Sequence, residues 1–387
     1  MAKRTALSIL TSALMALGAL TVRVPEVSAD VPPDTARAGY DGGFFIRDAD
    51  DKFRARFKGR VQGRFTFRSI EDDSERESDY AFSIPRARFA MNGHAFSPAL
   101  KYALQVEFGG GFAYLRDYYL DAGFLPGALH LRVGQYKRPF SRQQLTSSGS
   151  QELVDRAITD RAYGAGRDLG IMIHNDFGRS PRFEWAAGLF NGSGERPRFS
   201  GRVLGDSVEG GRWSNVPAKF KPMAVVRVGY NHGGIRGYSE TDLEGGPLRF
   251  SVGMSGKAAF NQDENDASFV SGQLDYAFKI HGFATTGAVY FGTAQDGGSF
   301  TDQSYAGLGM HVQAGYLILR RYGLSLRYAI LAPEGDDNNT QEIMGGLSVY
   351  FFGHSVKWQT DGGVLLRDDP AGNRSDGLVR TQLQFGF

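Results

Sequence analysis

The sequence contains no cysteine among its 387 residues. Disulfide bonds and thiolate metal ligands are therefore excluded, and hydrogen bonds and packing must stabilise the fold. The seven histidines are scattered, and neither a His-Glu-x-x-His motif nor a phosphate-binding Gly-Lys-Ser/Thr motif occurs. We therefore expect no metal site, no catalytic residues and no cofactor.

Long hydrophobic runs are also missing. Beyond the N-terminus, no stretch approaches the roughly 18 consecutive apolar residues of a membrane-spanning helix. The N-terminus itself places Lys3 and Arg4 before an apolar stretch over 6–20, and Val27-Ser28-Ala29 resembles a cleavage site. This pattern predicts a secretory signal peptide over residues 1–29. A membrane anchor is the alternative, but it needs about 20 apolar residues.

The sequence has no excess of one charge once the predicted leader is removed. Of 44 basic and 42 acidic residues, the leader takes Lys3, Arg4, Arg23 and Glu26, so that 41 of each remain. Zero net charge argues against a uniformly basic protein that binds nucleic acid. Any preference for anions must therefore come from where the charges lie.

What the chain does have is a repeated unit. After a short polar segment over 30–50, which we assign to the periplasm, about ten residues of alternating polarity recur between clusters of Gly, Pro, Asn, Asp or Ser. Sixteen candidate strands begin near residues 53, 80, 99, 113, 128, 168, 182, 222, 247, 268, 282, 304, 323, 342, 355 and 377.

The connections between these strands alternate in kind. Short ones, such as "FSPA" from residue 96, take turns with longer acidic ones, such as "EDDSERESD" from 71. Tight turns at one end and long loops at the other are typical of outer-membrane barrels. The sequence therefore predicts an all-β fold, a transmembrane antiparallel up-and-down β-barrel of sixteen strands over 51–387, in the outer membrane of a Gram-negative-type cell. Two stretches, 138–167 and 191–218, are long enough to suggest functional loops.

The first strand carries a ladder of positive charges opposite an apolar face. The sequence "FRARFKGRVQGRF" over 53–65 places on one side Arg54, Arg56, Lys58, Arg60 and Arg64. Five cations facing lipid would cost on the order of 10–20 kcal/mol, at about 2–4 kcal/mol each. The ladder must therefore face an aqueous lumen, where charges about 7 Å apart merge within a Debye length of about 8 Å. An anion could then move from site to site along the stripe.

Other basic positions are predicted to face inward as well: Arg86, Arg88, Lys101, Arg132, Arg227, Arg249, Lys257, Arg327 and Arg380. Inward acids are expected too, among them Glu107, Glu184, Asp275 and Asp361. The alternative is that these charges only hydrate the wall and pair with one another. That alternative is weakest for the ladder, because no acid alternates with it on the same strand.

Several segments resemble the phosphate-selective porin O and P family: "GFFIRDADDKFRARFKGRVQ" (43–62), "RARFAMNG" (86–93), "LRVGQYKRPFS" (131–141), "LVDRAITDRAYGAGRDLGI" (153–171) and "AAGLFNGSG" (186–194). The resemblance implies a sixteen-stranded and trimeric outer-membrane porin that conducts small anions, among them phosphate or polyphosphate. It also implies that the third external loop, 138–167, folds inward as a constriction.

The resemblance assigns basic residues to the constriction loop: Lys137, Arg138, Arg142, Arg156, Arg161 and Arg167. Arg156 and Asp168 could instead hold the loop to the wall. Phosphate-specific members have two adjacent arginines where this chain has Pro85 and Arg86, and loop lysines where it has Gln144 and Gly149. These departures weaken the expectation of a high-affinity phosphate site.

Further partners follow from the predicted location. The alternating last strand ends at Phe387, which resembles the signal read by the outer-membrane barrel assembly machinery. Outer-membrane lipid and lipopolysaccharide would surround the barrel. Two other functions stay open: a barrel enzyme of protease or lipase type, for which no converging catalytic group is evident, and a plugged structural barrel.

Overall fold

The computed structural model describes residues 37–72, 75–125, 127–195, 198–204, 207–216, 222–260, 268–294, 305–335, 338–368 and 372–387. The predicted signal peptide lies outside these residues. The strands are β1 (Ala38–Tyr40), β2 (Phe44–Arg47), β3 (Arg54–Asp72), β4 (Glu75–Ala95), β5 (Ser97–Glu107), β6 (Tyr114–Leu125), β7 (Leu129–Lys137), β8 (Arg167–His174), β9 (Phe183–Phe190), β10 (Arg198–Leu204), β11 (Ser207–Ser214), β12 (Met223–His232), β13 (Arg249–Ala259), β14 (Phe269–Ile280), β15 (Phe283–Ala294), β16 (Gly307–Ile318), β17 (Tyr322–Pro333), β18 (Thr340–Phe352), β19 (Val356–Arg367) and β20 (Arg374–Gly386). Two short helices, α1 (Arg142–Leu145) and α2 (Ile158–Tyr163), lie between β7 and β8.

Sixteen of these strands form one closed antiparallel barrel, which confirms the predicted fold. They are β3 to β9 and β12 to β20. Strand β9 pairs with β12, and β20 pairs with β3 from Gly377↔Ser69 to Gly386↔Arg60, so the sheet has no free edge. Each predicted strand start lies within about five residues of the observed one. The other strands form two hairpins, β1–β2, of which β2 pairs with β3, and β10–β11.

The barrel is apolar outside and polar inside, as a lipid environment requires. Strand β14 illustrates this arrangement. Val270 and Leu274 are exposed, whereas Ser271, Gln273 and Asp275 on the opposite face are buried. The alternation that a soluble sheet uses to bury apolar side chains is therefore inverted.

A β-bulge in β4 sets which of its side chains face the interior. The register moves from Gln62↔Arg86 to Arg64↔Ser83, so β4 carries one extra residue near Pro85. Proline has no N–H to donate and fits such a position. Beyond the bulge the alternation of β4 shifts by one residue, whereas Arg86 and Arg88, two residues apart on one side of it, share one face.

Two connections differ from the predicted alternation of short turns and long acidic loops. Residues 71–79, predicted as a long acidic loop, mostly belong to strands, because β3 ends at Asp72 and β4 begins at Glu75. At the end where the other turns are short, β12 and β13 are joined by the long segment 233–248. The alternating pattern of the sequence does not predict this long segment.

The segment 138–166 packs inside the barrel. An apolar cluster anchors it, formed by Phe140 and Tyr163 from the segment and by Tyr136, Phe190 and Tyr290 from the wall. The rings of Tyr163 and Tyr290 stack with centroids 5.1 Å apart. None of the helices in the described part of the chain could span a bilayer.

Candidate functional site

The interior holds a cavity of about 790 Å³, called the lumenal cavity below. Strands β3 to β7 form its wall on one side, and segments 138–166 and 233–248 line it from within. Nine basic side chains line it: Lys58, Arg60, Arg88, Arg116, Arg132, Lys137, Arg156, Arg167 and Arg236. Asp117 is the one carboxylate among its described lining residues. A second cavity of about 720 Å³ shares Lys58, Arg236 and Tyr238 with it.

Arg54 and Arg56, the first two cations of the ladder, share a carboxylate from the N-terminal segment. Arg56 Nη2 lies 2.5 Å from Asp41 Oδ2, and Arg54 Nη2 lies 3.6 Å from the same oxygen. The Arg54 guanidinium also lies over the Phe45 ring, 4.8 Å from its centroid. These two cations are thus partly neutralised by a residue just outside the barrel strands.

Arg64 and Arg86 meet a carboxylate of the inward segment. Arg64 binds Asp155 through two hydrogen bonds of 2.9 and 3.1 Å, and Arg86 Nη2 donates to Asp155 Oδ1 over 3.3 Å. Arg380, from the last strand, also donates to Asp155 over 2.8 Å. Burial raises the pKa of Asp155, but Arg380, Arg64 and Arg86 outweigh burial and hold that pKa well below its usual range. Asp155 therefore joins the segment to three wall arginines.

Arg88 is paired through the neighbouring strand. Its Nε lies 2.5 Å from Glu107 Oε2, and its Nη1 donates to Ser148 Oγ over 3.2 Å. Arg116, which is not among the predicted inward residues, lies 3.5 Å from Glu107 and 3.0 Å from Glu195. Glu107 thus offsets part of the charge of both arginines.

Lys58 and Arg60 differ from the rest of the ladder. Arg60 Nη1 donates to Ser147 Oγ over 3.0 Å and Nη2 donates to Ser148 Oγ over 2.9 Å. Over the part of the chain that the structure describes, no carboxylate lies within 4.0 Å of either cation. Both side chains line the lumenal cavity. Within the described residues, Arg60 and Lys58 are therefore cations without an ion pair, and Asp41 and Glu107 act on them only from beyond 4.0 Å.

Three predicted loop residues shape segment 138–166 itself. Lys137 Nζ donates to the carbonyls of Leu145 and Thr146 over 2.8 and 3.2 Å. Arg156 donates to the carbonyls of Gln143, Gln144 and Thr146 and lies 3.4 Å from Asp160. Arg161 Nη2 lies 4.0 Å from Asp155 Oδ2 of the same segment, and the Arg161 side chain is 67% exposed.

The other three predicted loop residues bind the wall. Arg138 is fully buried, with its Nη1 3.3 Å from Asp168. Arg142 donates to Asp275 Oδ1 over 2.7 Å, and Arg167 donates to Asp117 Oδ1 over 2.8 Å. Of the two residues predicted as alternative anchors, Asp168 binds Arg138, whereas Arg156 binds carbonyls of its own segment.

Segment 233–248 enters the lumen from the opposite end and contacts segment 138–166. Arg142 Nη1 donates to the carbonyl of Gly237 over 2.7 Å, and the Glu240 N–H donates to the carbonyl of Ser150 over 3.1 Å. The Glu152 N–H donates to Glu240 Oε2 over 2.8 Å. The two segments are therefore directly joined inside the barrel.

Two carboxyl groups lie together at this junction. Gln313 Nε2 donates to Glu152 Oε2 over 3.1 Å and to Glu240 Oε2 over 2.9 Å, and both glutamates are buried. Burial and the neighbouring Glu240 raise the pKa of Glu152 to about 8. Glu152 is therefore protonated more readily than an ordinary glutamate.

Aromatic and basic side chains meet on β6 and β7. The Arg132 guanidinium lies 4.3 Å from the ring centroid of Tyr119 and 5.4 Å from that of Tyr136. Asp121 accepts from Arg132 Nε over 2.8 Å and also binds His130 and His174 over 2.9 Å. Within the described residues, no group of three or more acidic or histidine side chains is arranged for a metal ion.

The comparisons with known proteins agree with this architecture. The family model of "Phosphate-selective porin O and P" matches residues 56–228, just under half of the chain. The family resemblance is confirmed: the chain is an outer-membrane porin. An uncharacterized protein of Aquifex aeolicus is 26% identical to this porin over 349 residues, which cover 86% of the porin and 76% of that relative.

Solved structures show the same fold at low sequence identity. An anion-selective porin from Comamonas acidovorans has a TM-score of 0.58 and 14% identity, covering 86% of this porin and 99% of that chain. The outer-membrane channel DcaP of Acinetobacter baumannii has a TM-score of 0.57 and 14% identity, covering 88% and 99%. At this identity, the likeness concerns the fold alone.

Proposed function

We propose that this porin gives small anions a passive diffusion path through the lumenal cavity. The observation that carries the proposal is the local charge balance. Among the described residues, Lys58 and Arg60 line the cavity with no carboxylate within 4.0 Å, whereas the other three ladder cations each have one. Uncompensated cations in a narrow, low-dielectric passage raise the local concentration of anions. The remaining arginines then position the inward segment, and segment 138–166 sets the size limit.

Ion selectivity in planar bilayers tests this proposal. With the purified porin under a KCl gradient, the zero-current potential should have the sign of chloride preference. A potential with the sign of potassium preference would overturn the proposal. The anion selectivity of the Comamonas acidovorans porin supports the same direction.

Phosphate and polyphosphate are among the anions that we expect to pass. Arg60 and Arg88 present guanidinium groups beside the hydroxyls of Ser147 and Ser148, and such donors suit oxyanions. Chloride current measured with and without added phosphate distinguishes two cases. Block at low phosphate concentration indicates a tight site, and its absence indicates a general anion path.

A plugged, non-conducting barrel is a second candidate, because segments 138–166 and 233–248 meet inside the lumen. Single-channel steps in the bilayer would exclude it. Passive diffusion requires no catalysis, so we propose that the porin is not an enzyme. Hydrolytic activity that a single Ser, His or Asp substitution abolishes would contradict that part of the proposal.

We further propose that the porin forms a homotrimer in the outer membrane and contacts lipopolysaccharide there. We also propose that the C-terminal Phe387 directs assembly of the barrel by the outer-membrane barrel assembly machinery. The exposed apolar outer face supports a lipid or subunit contact. Light scattering on detergent-solubilised porin, corrected for bound detergent, should give three chains. A monomer mass would contradict the trimer.

A further inference from the structure

An apolar surface borders the lumenal cavity beside its cations. Tyr136 and Phe177 belong to the buried apolar cluster, and Tyr119, Leu145 and Tyr238 pack against it. All five also line the cavity. Two ring pairs are edge-to-face, Tyr119 with Tyr136 at 5.8 Å and Phe177 with Tyr238 at 6.1 Å between centroids.

This surface is assembled from separate parts of the chain. Tyr119 and Tyr136 lie on β6 and β7, Leu145 ends α1, and Tyr238 lies in segment 233–248. Leu243, also in that segment, adds a half-buried apolar side chain to the cavity lining. Interior positions of a water-filled barrel are usually polar. Apolar side chains brought there from several segments form a surface that water solvates poorly.

Positively charged side chains line the same cavity beside this apolar surface. Lys58 and Arg60 provide positive charge from β3, and no carboxylate of the described residues lies within 4.0 Å of either. Arg132 is already paired with Asp121, and its guanidinium lies over the rings of Tyr119 and Tyr136. Arg132 therefore holds the aromatic side of the cavity in place, while the charge that attracts anions comes from Lys58 and Arg60.

We infer that the lumenal cavity favours organic anions with a flat apolar body, of the aromatic carboxylate class, over small anions of the same charge. This inference rests on the proposed anion path and narrows its solute class. The carboxylate is drawn to Lys58 and Arg60, and the ring removes apolar surface from water against Tyr119, Leu145 and Tyr238. A cavity of about 790 Å³ has the size of a pocket for an organic molecule, about 300–1,000 Å³. A hydrated chloride ion gains nothing from the apolar side.

Block of the chloride current tests the inference with the native porin. Benzoate and acetate carry the same carboxylate and charge, and only benzoate has a ring. We expect benzoate to halve the chloride conductance at a concentration at least about tenfold below that of acetate, roughly 1.4 kcal/mol of added binding. Equal half-block concentrations, with chloride preference retained, would overturn this inference and leave the anion path standing. Cation preference under the KCl gradient would overturn the anion path itself.

Two single substitutions locate the effect. Leu145→Ser and Leu243→Ser each keep every charge and should raise the half-block concentration of benzoate about threefold or more, with acetate unchanged. Leu319→Ser is the matched control, because Leu319 lies in a turn, is 83% exposed and does not line the cavity. If a substitution raised the half-block concentrations of benzoate and acetate equally, an apolar contact with the benzoate ring would be contradicted. The same holds if Leu319→Ser raised the value for benzoate as much as the two cavity substitutions.

Discussion

Glu152 donates its backbone N–H to the carboxylate of Glu240 over 2.8 Å between nitrogen and Oε2. The first residue belongs to segment 138–166 and the second to segment 233–248, and these segments enter the barrel from opposite ends. Gln313, on the wall strand β16, donates to both carboxyl groups. The two segments therefore meet inside the barrel at a junction that contains two carboxyl groups, and the protonation of Glu152 bears on how firmly the segments hold together.

The first prediction concerns pH. The pKa of Glu152 is raised from 4.5 to about 8 when the segments are joined. If the two segments separated, the pKa of Glu152 would return towards its ordinary value, so the joined state binds more protons than the separated state. The joined state therefore becomes less stable as pH rises from about 4.5 through about 8. Nearby charges are Glu240, Lys279 and Lys357, and each lysine already binds backbone carbonyls. We expect single-channel conductance or its fluctuations to increase between pH 6 and pH 9.

Glu152→Gln should remove most of this pH dependence, because the amide cannot ionise. Glu244→Gln is the matched control in segment 233–248, since Glu244 pairs with Arg236 and Arg249 rather than with Glu152. The same pH profile in the native porin and in Glu152→Gln would rule out Glu152 as the responsible group.

A second prediction concerns Asp155, which joins segment 138–166 to Arg64, Arg86 and Arg380. Asp155→Asn leaves three guanidinium groups without this carboxylate. Removing one partner of a buried ion pair typically costs about 3–5 kcal/mol. We expect the barrel of this variant to unfold at a lower temperature than the native barrel, as seen in its mobility on heat-modifiability gels. We also expect the channels that remain folded to prefer chloride more strongly in the zero-current potential.

Asp376→Asn is the control for Asp155→Asn, because Asp376 pairs with the half-exposed Arg367 away from the lumenal cavity. If both variants changed selectivity equally, Asp155 would have no special effect on the passage.

A third prediction concerns barrel closure. Phe387 N–H donates to the carbonyl of Gly59 over 3.0 Å, and Gly59 N–H donates back over 3.1 Å. A Cβ at Gly59 would overlap the Phe387 ring. Gly59→Val should therefore displace the ring, at a cost of about 1–3 kcal/mol, and reduce the folded fraction on heat-modifiability gels. Gly63→Ala is the control, because its Cβ would meet open space. Equal folded fractions would show that the ring contact is dispensable.

The sequence predicted the barrel well because lipid imposes a simple rule on it. Apolar side chains must alternate with polar ones for about ten residues, and segments such as 269–280 follow that rule directly. The ends of the strands were predicted less accurately. Charged residues over 71–79 resembled a loop, yet β3 and β4 continue through them, since a strand that extends beyond the membrane no longer needs apolar side chains.

The partners of the ladder could not be predicted in the same way. No acid alternates with Arg54 and Arg64 on β3, but Asp41 and Asp155 reach them from other parts of the chain. Such contacts depend on how segments fold into the lumen, which strand periodicity does not encode. The inward segment 233–248 was missed for the same reason, because its Gly, Ser and Asp residues resemble an ordinary turn.

The fourth prediction tests the central claim, that Lys58 and Arg60 set the anion preference. The measurement is the zero-current potential under a KCl gradient for the double variant Lys58→Gln/Arg60→Gln, compared with Arg54→Gln/Arg56→Gln, whose arginines share Asp41. Both variants remove two positive charges from the same strand. We expect the first to lose most of the chloride preference and the second to lose clearly less. Equal losses, or chloride preference unchanged in Lys58→Gln/Arg60→Gln, would contradict the account.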